Sequence, residues 1–355
     1  MIKFVTVDKI RPGVTLARDI YGIDTFTNRV VMLKAGQELT VGHITKLMSL
    51  DLQGVYINER VEAPEIVPSR TRDQMVKLIK DLYNFVEEPT SLLYTEKISA
   101  TNDILEHAID DICTRKDFSL SVDSFNFHDN DKYNHTMSVA VICIAIGKEL
   151  RMPKQSLLDL TVAAILHDVG DSKIPQELLE KPAKLSPEEF EPIKEHSQFG
   201  HDIISEISGV SEHVKEGVLR HHERFDGSGY PGALSGKSIP LFSRIIAVAD
   251  VYSALTSQRP YRDAYSPAEA IEYIMGNAGR QFDSGVVKAF LKCISPYAVG
   301  SCVKLSNGEK AVVADQNPDN PLRPTIFLMD DPTVMIDLYN DRRFFNIVIS
   351  ETIND

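Results

Sequence analysis

A chain of 355 residues is long enough for two or three domains, and its 43% hydrophobic and 25% charged content is that of an ordinary globular protein. Its 51 acidic and 38 basic side chains leave a net charge of -13, which argues against non-specific binding to nucleic acid or to anionic membranes. A local basic pocket for a small anion stays open. The opening M-I-K-F-V-T-V-D-K-I carries charge too early for a signal peptide or an anchor, and no run approaches the roughly 20 apolar residues that span a bilayer.

Residues 1–60 alternate like strands (I-K-F-V-T-V and R-V-V-M-L-K-A-G), with one amphipathic helix, T-V-G-H-I-T-K-L-M-S-L, and a closing strand, G-V-Y-I. This predicts a small α+β module in which His43 is structural. The proline-bearing stretch 61–70 reads as a linker. Helical periods follow to about residue 118, suited to packing against a helical core or a second copy of the chain. Helices are then predicted at 131–150, 153–168, 186–195, 197–207, 211–222, 239–257, 267–276 and 284–293, an all-helical core over 119–295. Ser186, before P-E-E-F, supplies an N-cap with a carboxylate three residues on. Beyond Pro296 the pattern returns to alternation. Asn307-Gly308 marks a hairpin, and T-I-F-L-M, T-V-M-I-D-L and F-F-N-I-V-I read as further strands, so 296–355 is expected as a small antiparallel β module. The fold class is therefore mainly α, with β-containing modules at both ends. Cys113, Cys143, Cys293 and Cys302 are scattered without a C-x-x-C pair, which suits a reducing cytosol, and Cys143 sits in an apolar run as a buried thiol.

Seven of the ten histidines fall between positions 135 and 222. His167-Asp168 ends an apolar helix, and His221-His222 ends another, followed at once by F-D-G-S-G-Y-P. That segment is a poor helix but a good tight loop, since Gly227 and Gly229 can take positive φ and bring backbone N–H groups close to an anion. Asp250 lies in R-I-I-A-V-A-D-V-Y-S-A-L, apolar nearly all round, where an unpaired carboxylate costs several kcal/mol. Arg244, six residues back, is on another face. Alone, Asp250 fits a buried ion pair as well as a ligand; with the histidine pairs beside it, the ligand reading is better. His135 opens a further apolar helix, and His196 sits where two helices meet. His107, His201 and His213 fall on more polar faces and read as bland. Four histidines and two or three aspartates suit borderline divalent ions such as iron, manganese or zinc. Two ions sharing Asp168 would hold a hydroxide and clamp a phosphoryl group between them.

H-D-x-G at 167–170, H-H-E at 221–223, D-G-S-G-Y-P at 226–231, A-D-V-Y-S-A-L at 249–255 and R-P-Y-R at 259–262 together resemble an HD-GYP domain, a bacterial subgroup of the HD phosphohydrolases. The resemblance covers about 125–295. It implies an all-α core with two or three iron or manganese ions, and hydrolysis of cyclic di-GMP to pGpG and on to GMP by a metal-bridging hydroxide. The ligands it implies are His135, His167, Asp168, His196, His221, His222 and Asp250, with Asp131 standing where some members hold a third ion through Glu. Gly229, Tyr230 and Pro231 would shape the substrate-side loop, and Arg259 and Arg262 would meet phosphates. Implied partners are cyclic di-GMP itself and proteins such as diguanylate cyclases, in the cytoplasm, with a homodimer allowed. Many members continue H-D-x-G-K, whereas residue 171 here is Asp, and Lys173 is the substitute two positions on. That departure keeps open a sensor or scaffold that binds without cleaving, or a phosphohydrolase acting on another cyclic nucleotide. The first sixty residues loosely resemble a small domain often placed before HD-GYP domains.

Overall fold

The computed structural model of the chain describes residues 2–10, 12–23, 29–50, 52, 54–58, 68–87, 94–114, 120–121, 132–181, 183, 185–258, 263–329 and 334–353. Asp131, Arg259, Arg262 and most of the expected linker lie outside the described residues. The chain divides into two compact units, Met1–Pro64 with Ser295–Asp355, and Glu65–Ile294.

In the first unit the strand Ile2–Thr6 pairs antiparallel with Gly54–Asn58, which pairs on its other edge with Thr15–Leu16. Ile20–Ile23 and Arg29–Leu33 form a separate hairpin. Helix α1, Val41–Met48, packs Ile44 and Leu47 onto Leu16, Leu39 and Val55. His43 is structural, as expected: its Nδ1 accepts from Thr40 N at 3.3 Å while its own N–H meets Thr40 Oγ1, closing a capping box. The C-terminal segment forms a five-stranded antiparallel sheet in the order Met335–Asp337, Thr325–Leu328, Lys310–Asp315, Cys302–Leu305, Ile349–Thr352. Its predicted hairpin is present, with Gly308 at φ +89° in the turn. One expectation fails. F-F-N-I-V-I is not a strand from residue 344, because Asp341 accepts from Arg343 N at 3.1 Å and draws Arg342–Phe344 into a 3₁₀ turn; pairing starts only at Ile349, opposite Leu305. Phe4 and Tyr56 share a core with Cys302, Val312, Phe327 and Met329, so the two ends of the chain fold as one unit.

The second unit is helical: α2 Ser69–Glu87, α3 Tyr94–Cys113, α4 Lys132–Glu149, α5 Lys154–Leu166, α6 Gln176–Leu179, α7 Pro187–Lys194, α8 His196–Ser205, α9 Glu212–Leu219, α10 Leu241–Thr256, α11 Pro267–Gly276 and α12 Ser284–Cys293. An all-round apolar helix must sit centrally, and α4 does, buried from Thr136 to Gly147 and packed by α2, α5, α10 and α12. Helices α2 and α3 pack against the helical core, one of the two expectations for them. The Ser186–Glu189 capping box opens α7. Helices α5 and α9 stop earlier than their periodicity suggests. His167 Nδ1 bonds Ala164 O at 2.8 Å and His221 Nδ1 bonds Val218 O at 2.6 Å, taking acceptors that the next helical N–H would use. No described helix is long and apolar enough to cross a membrane.

Candidate metal centre

Five segments deliver the histidines and aspartates of one site. His167 and Asp168 lie past the end of α5, entering the 3₁₀ turn Val169–Lys173. Gly170 seats that turn directly on α8: a Cβ there would overlap His196 O and approach Gly200 N to 2.5 Å. The glycine of H-D-x-G is thus what brings Asp168 alongside His196, the first residue of α8. His221 and His222 follow α9, His135 comes from the start of α4, and Asp250 from the middle of α10.

The ligand atoms of Asp168, His196, His221 and His222 lie within 4.8 Å of one another, as do those of His135, His167 and Asp250. Asp168 faces both groups. Its Oδ1 is 3.6 Å from the Nε2 atoms of His196 and His221, and its Oδ2 is 3.1 Å from His167 Nε2. His135 Nε2 is 3.2 Å from Asp250 Oδ1. The rings are held by their outer nitrogens: His167, His196 and His221 each bond a carbonyl three residues back, and His135 Nδ1 meets Ser253 Oγ at 2.8 Å. A proton on Nδ1 leaves Nε2 as a lone pair. His196 Nε2 and His221 Nε2 are nevertheless only 3.3 Å apart. Lone pairs so placed repel one another unless a cation lies among them, so this donor set fits divalent metal.

In the metal-free chain the imidazoles differ, and His167 holds a proton that a bound ion would displace. Burial works against charging His167, but Asp168 outweighs it and holds the imidazole up at about 9. Burial likewise opposes ionisation of Asp168, yet His167 and its neighbours hold it well below the usual carboxylate range. Burial also opposes ionisation of Asp250, which His135 keeps low. For His221 and His222 burial dominates and both stay neutral, the form that binds metal. Arg244 is committed to Asp283, leaving Asp250 to the histidines.

The loop after His222 departs from expectation in one respect. Gly227 takes φ +85°, but Gly229 is not in the left-handed region. It is needed because a Cβ would come within 2.5 Å of Glu223 Cα and His222 O. Nor are the loop's amides gathered for an anion: Gly227 N, Ser228 N and Tyr230 N go to Arg224 O, Asp226 Oδ1 and His222 O, and just beyond the loop Gly232 N and Leu234 N point at the Glu223 carboxylate. Tyr230 stacks on His222 with centroids 4.8 Å apart, its hydroxyl pKa pushed up by burial and by Asp168; the Tyr230–Pro231 peptide is cis, and Pro231 is exposed. Asp171 is half-buried, and burial together with Asp168 pushes its carboxyl up to about 7. Lys173 is exposed. His107, His201 and His213 lie elsewhere, His107 on Asp103 O and His201 on Asp202. Sequence reasoning passed over Ser253 and Glu223, although both stand inside the quoted motifs.

Residues 123–286 match the family described as HD domain. The chain is 32% identical over 274 residues to cyclic di-GMP phosphodiesterase PA4108 of Pseudomonas aeruginosa, covering 77% of this chain and 64% of that protein. It is 40% identical over 150 residues to the cyclic di-GMP phosphodiesterase response regulator RpfG of Xanthomonas campestris, covering 41% and 39%. It is 41% identical over 139 residues to 3'3'-cGAMP-specific phosphodiesterase 1 of Vibrio cholerae, covering 39% and 32%. The chain thus spans less than two thirds of the length of each of these relatives. Residues 123–286, most of the helical unit, thus carry the HD domain match, and the H-H-E and G-Y-P motifs within them fold against the histidine cluster, a likeness to the HD-GYP group.

Proposed function

We propose that the chain is a metal-dependent phosphodiesterase that opens cyclic di-GMP to pGpG, GMP or both. The observation that carries the reading is Asp168, one carboxylate with an oxygen toward each of two ligand groups. Two or three divalent ions, iron or manganese, would supply the Lewis acidity that attack on a phosphodiester requires. Asp168, His196, His221 and His222 would hold one of them and His135, His167, Asp250 and Asp168 another; Asp131 is the proposed ligand of a third. The chain's own part is to fix these donors before substrate arrives, the imidazoles by their Nδ1 bonds and Asp168 by the turn seated on α8. The loop Gly229-Tyr230-Pro231 forms the substrate side of the site, next to His222. Arg259 and Arg262 are proposed for the phosphates, which a planar guanidinium fork suits, with Lys173 as an auxiliary cation.

Names carried by the relatives support cyclic di-GMP as substrate. Asp171 favours a second reading, since an acid where relatives of the group carry Lys weakens the hold on an anion; the chain would then be a sensor that binds without cleaving. Incubation of metal-loaded protein, purified without oxygen, with cyclic di-GMP decides between them. Release of pGpG or GMP with two or more iron or manganese ions per chain is the expected result. Binding without cleavage at a full metal complement would establish the sensor, and cleavage of 3'3'-cGAMP alone would move the substrate.

A further inference from the structure

Glu223, the acid of H-H-E, is 3% exposed and ligates nothing in either histidine group. A carboxylate withdrawn from water needs partners. Its partners are in the loop. Glu223 Oε1 accepts from Gly232 N at 2.6 Å and Oε2 from Leu234 N at 3.0 Å, while Arg220 Nη1 stands 4.0 Å away. The same loop lies directly on the backbone of 222–224: Gly229 has no room for a Cβ there, Tyr230 N reaches His222 O at 3.3 Å, and Asp226 bridges Ser235 to close the loop's base. Tyr230 is thereby set 4.8 Å from the His222 ring.

We infer that Glu223 is a positioning residue for substrate: its carboxylate pins the returning half of the loop, and so fixes Tyr230 against His222 at the mouth of the metal centre. The role in substrate binding rests on the phosphodiesterase reading. Both carboxylate oxygens are required, because a glutamine could accept from only one amide and would turn an N–H toward the other.

The test uses the full chain, wild type beside Glu223→Gln and Gly232→Ala. Metal content is measured by elemental analysis, loop opening by amide exchange over 226–235, and turnover on cyclic di-GMP. Expected for Glu223→Gln are an unchanged metal-to-protein ratio, at least tenfold faster exchange in the loop, and a KM raised at least tenfold with kcat within threefold. In Gly232→Ala the new Cβ would stand 2.8 Å from Arg220 Nη1 and 3.0 Å from Glu223 Oε1, pushing on the same contact from the loop side. It should raise KM in the same direction, and it decides the matter if Glu223→Gln does not fold. Unchanged exchange and KM overturn the proposal. So does a KM rise that tracks metal loss, since Glu223 would then be supporting the ligands. A wild-type chain that does not turn over cyclic di-GMP counts against the phosphodiesterase reading alone, and the exchange rates then decide whether Glu223 pins the loop.

Discussion

Asp168 is the residue on which the site turns, because each of its oxygens answers to a different set of imidazoles. Asp168→Ala should lose most bound metal, and hydrolysis should fall by roughly 10³-fold or more, as for loss of a central electrostatic contact; elemental analysis and a cyclic di-GMP assay read the two losses. Retention of a full metal complement would show that the carboxylate does not bridge. Asp171 makes a different prediction, for stability in metal-free protein. Its folded pKa, about 7, lies above the ordinary 3.8, so the folded state binds this proton more tightly than the unfolded one. Stability contributed by that proton is complete below pH 4 and lost as pH rises to about 7, then level. Asp171→Asn should flatten urea-unfolding stability across that window and make the metal-free protein more stable at pH 7. An unchanged slope between pH 4 and 7 would contradict the assignment.

At the scale of elements, the centre depends on side chains that tie one helix to another. Ser253, one turn beyond Asp250 on α10, holds the outer nitrogen of His135 on α4. Ser253→Ala frees that ring to rotate, and metal affinity should fall about 10- to 100-fold while the fold persists; competition against a chelator measures it. The sequence made α4, α5 and α10 visible by their unbroken apolar runs, and it made the hairpin at Asn307-Gly308 visible by turn chemistry. It gave no sign that Gly170 serves a contact with His196 rather than a turn, or that Gly229 does the same against His222. A glycine needed for closeness and one needed for positive φ are identical in a sequence, and only the neighbouring backbone tells them apart.

At the scale of the molecule, the two ends of the chain share one core although some 230 residues separate them. Phe4 and Phe327 stack with centroids 4.8 Å apart. Phe327→Ala should cost the terminal unit about 3–5 kcal/mol, read by chemical denaturation, while the metal-to-protein ratio of the helical unit stays as in wild type. Parallel loss of metal would mean that the two units do not hold their cores independently.

By itself the sequence determined the helical core, the α+β character of the first sixty residues, and which histidines and aspartates were exceptional, because an imidazole or carboxylate embedded in an apolar run is costly wherever that run folds. Only tertiary structure decided that these groups meet, how they divide into two sets around Asp168, and that Glu223 faces the loop instead of the ligands. Those outcomes depend on contacts between residues far apart in the chain, such as His135 with Asp250 and Gly170 with His196. Local pattern records what a residue avoids; the partner it finds is set by where the other helices arrive.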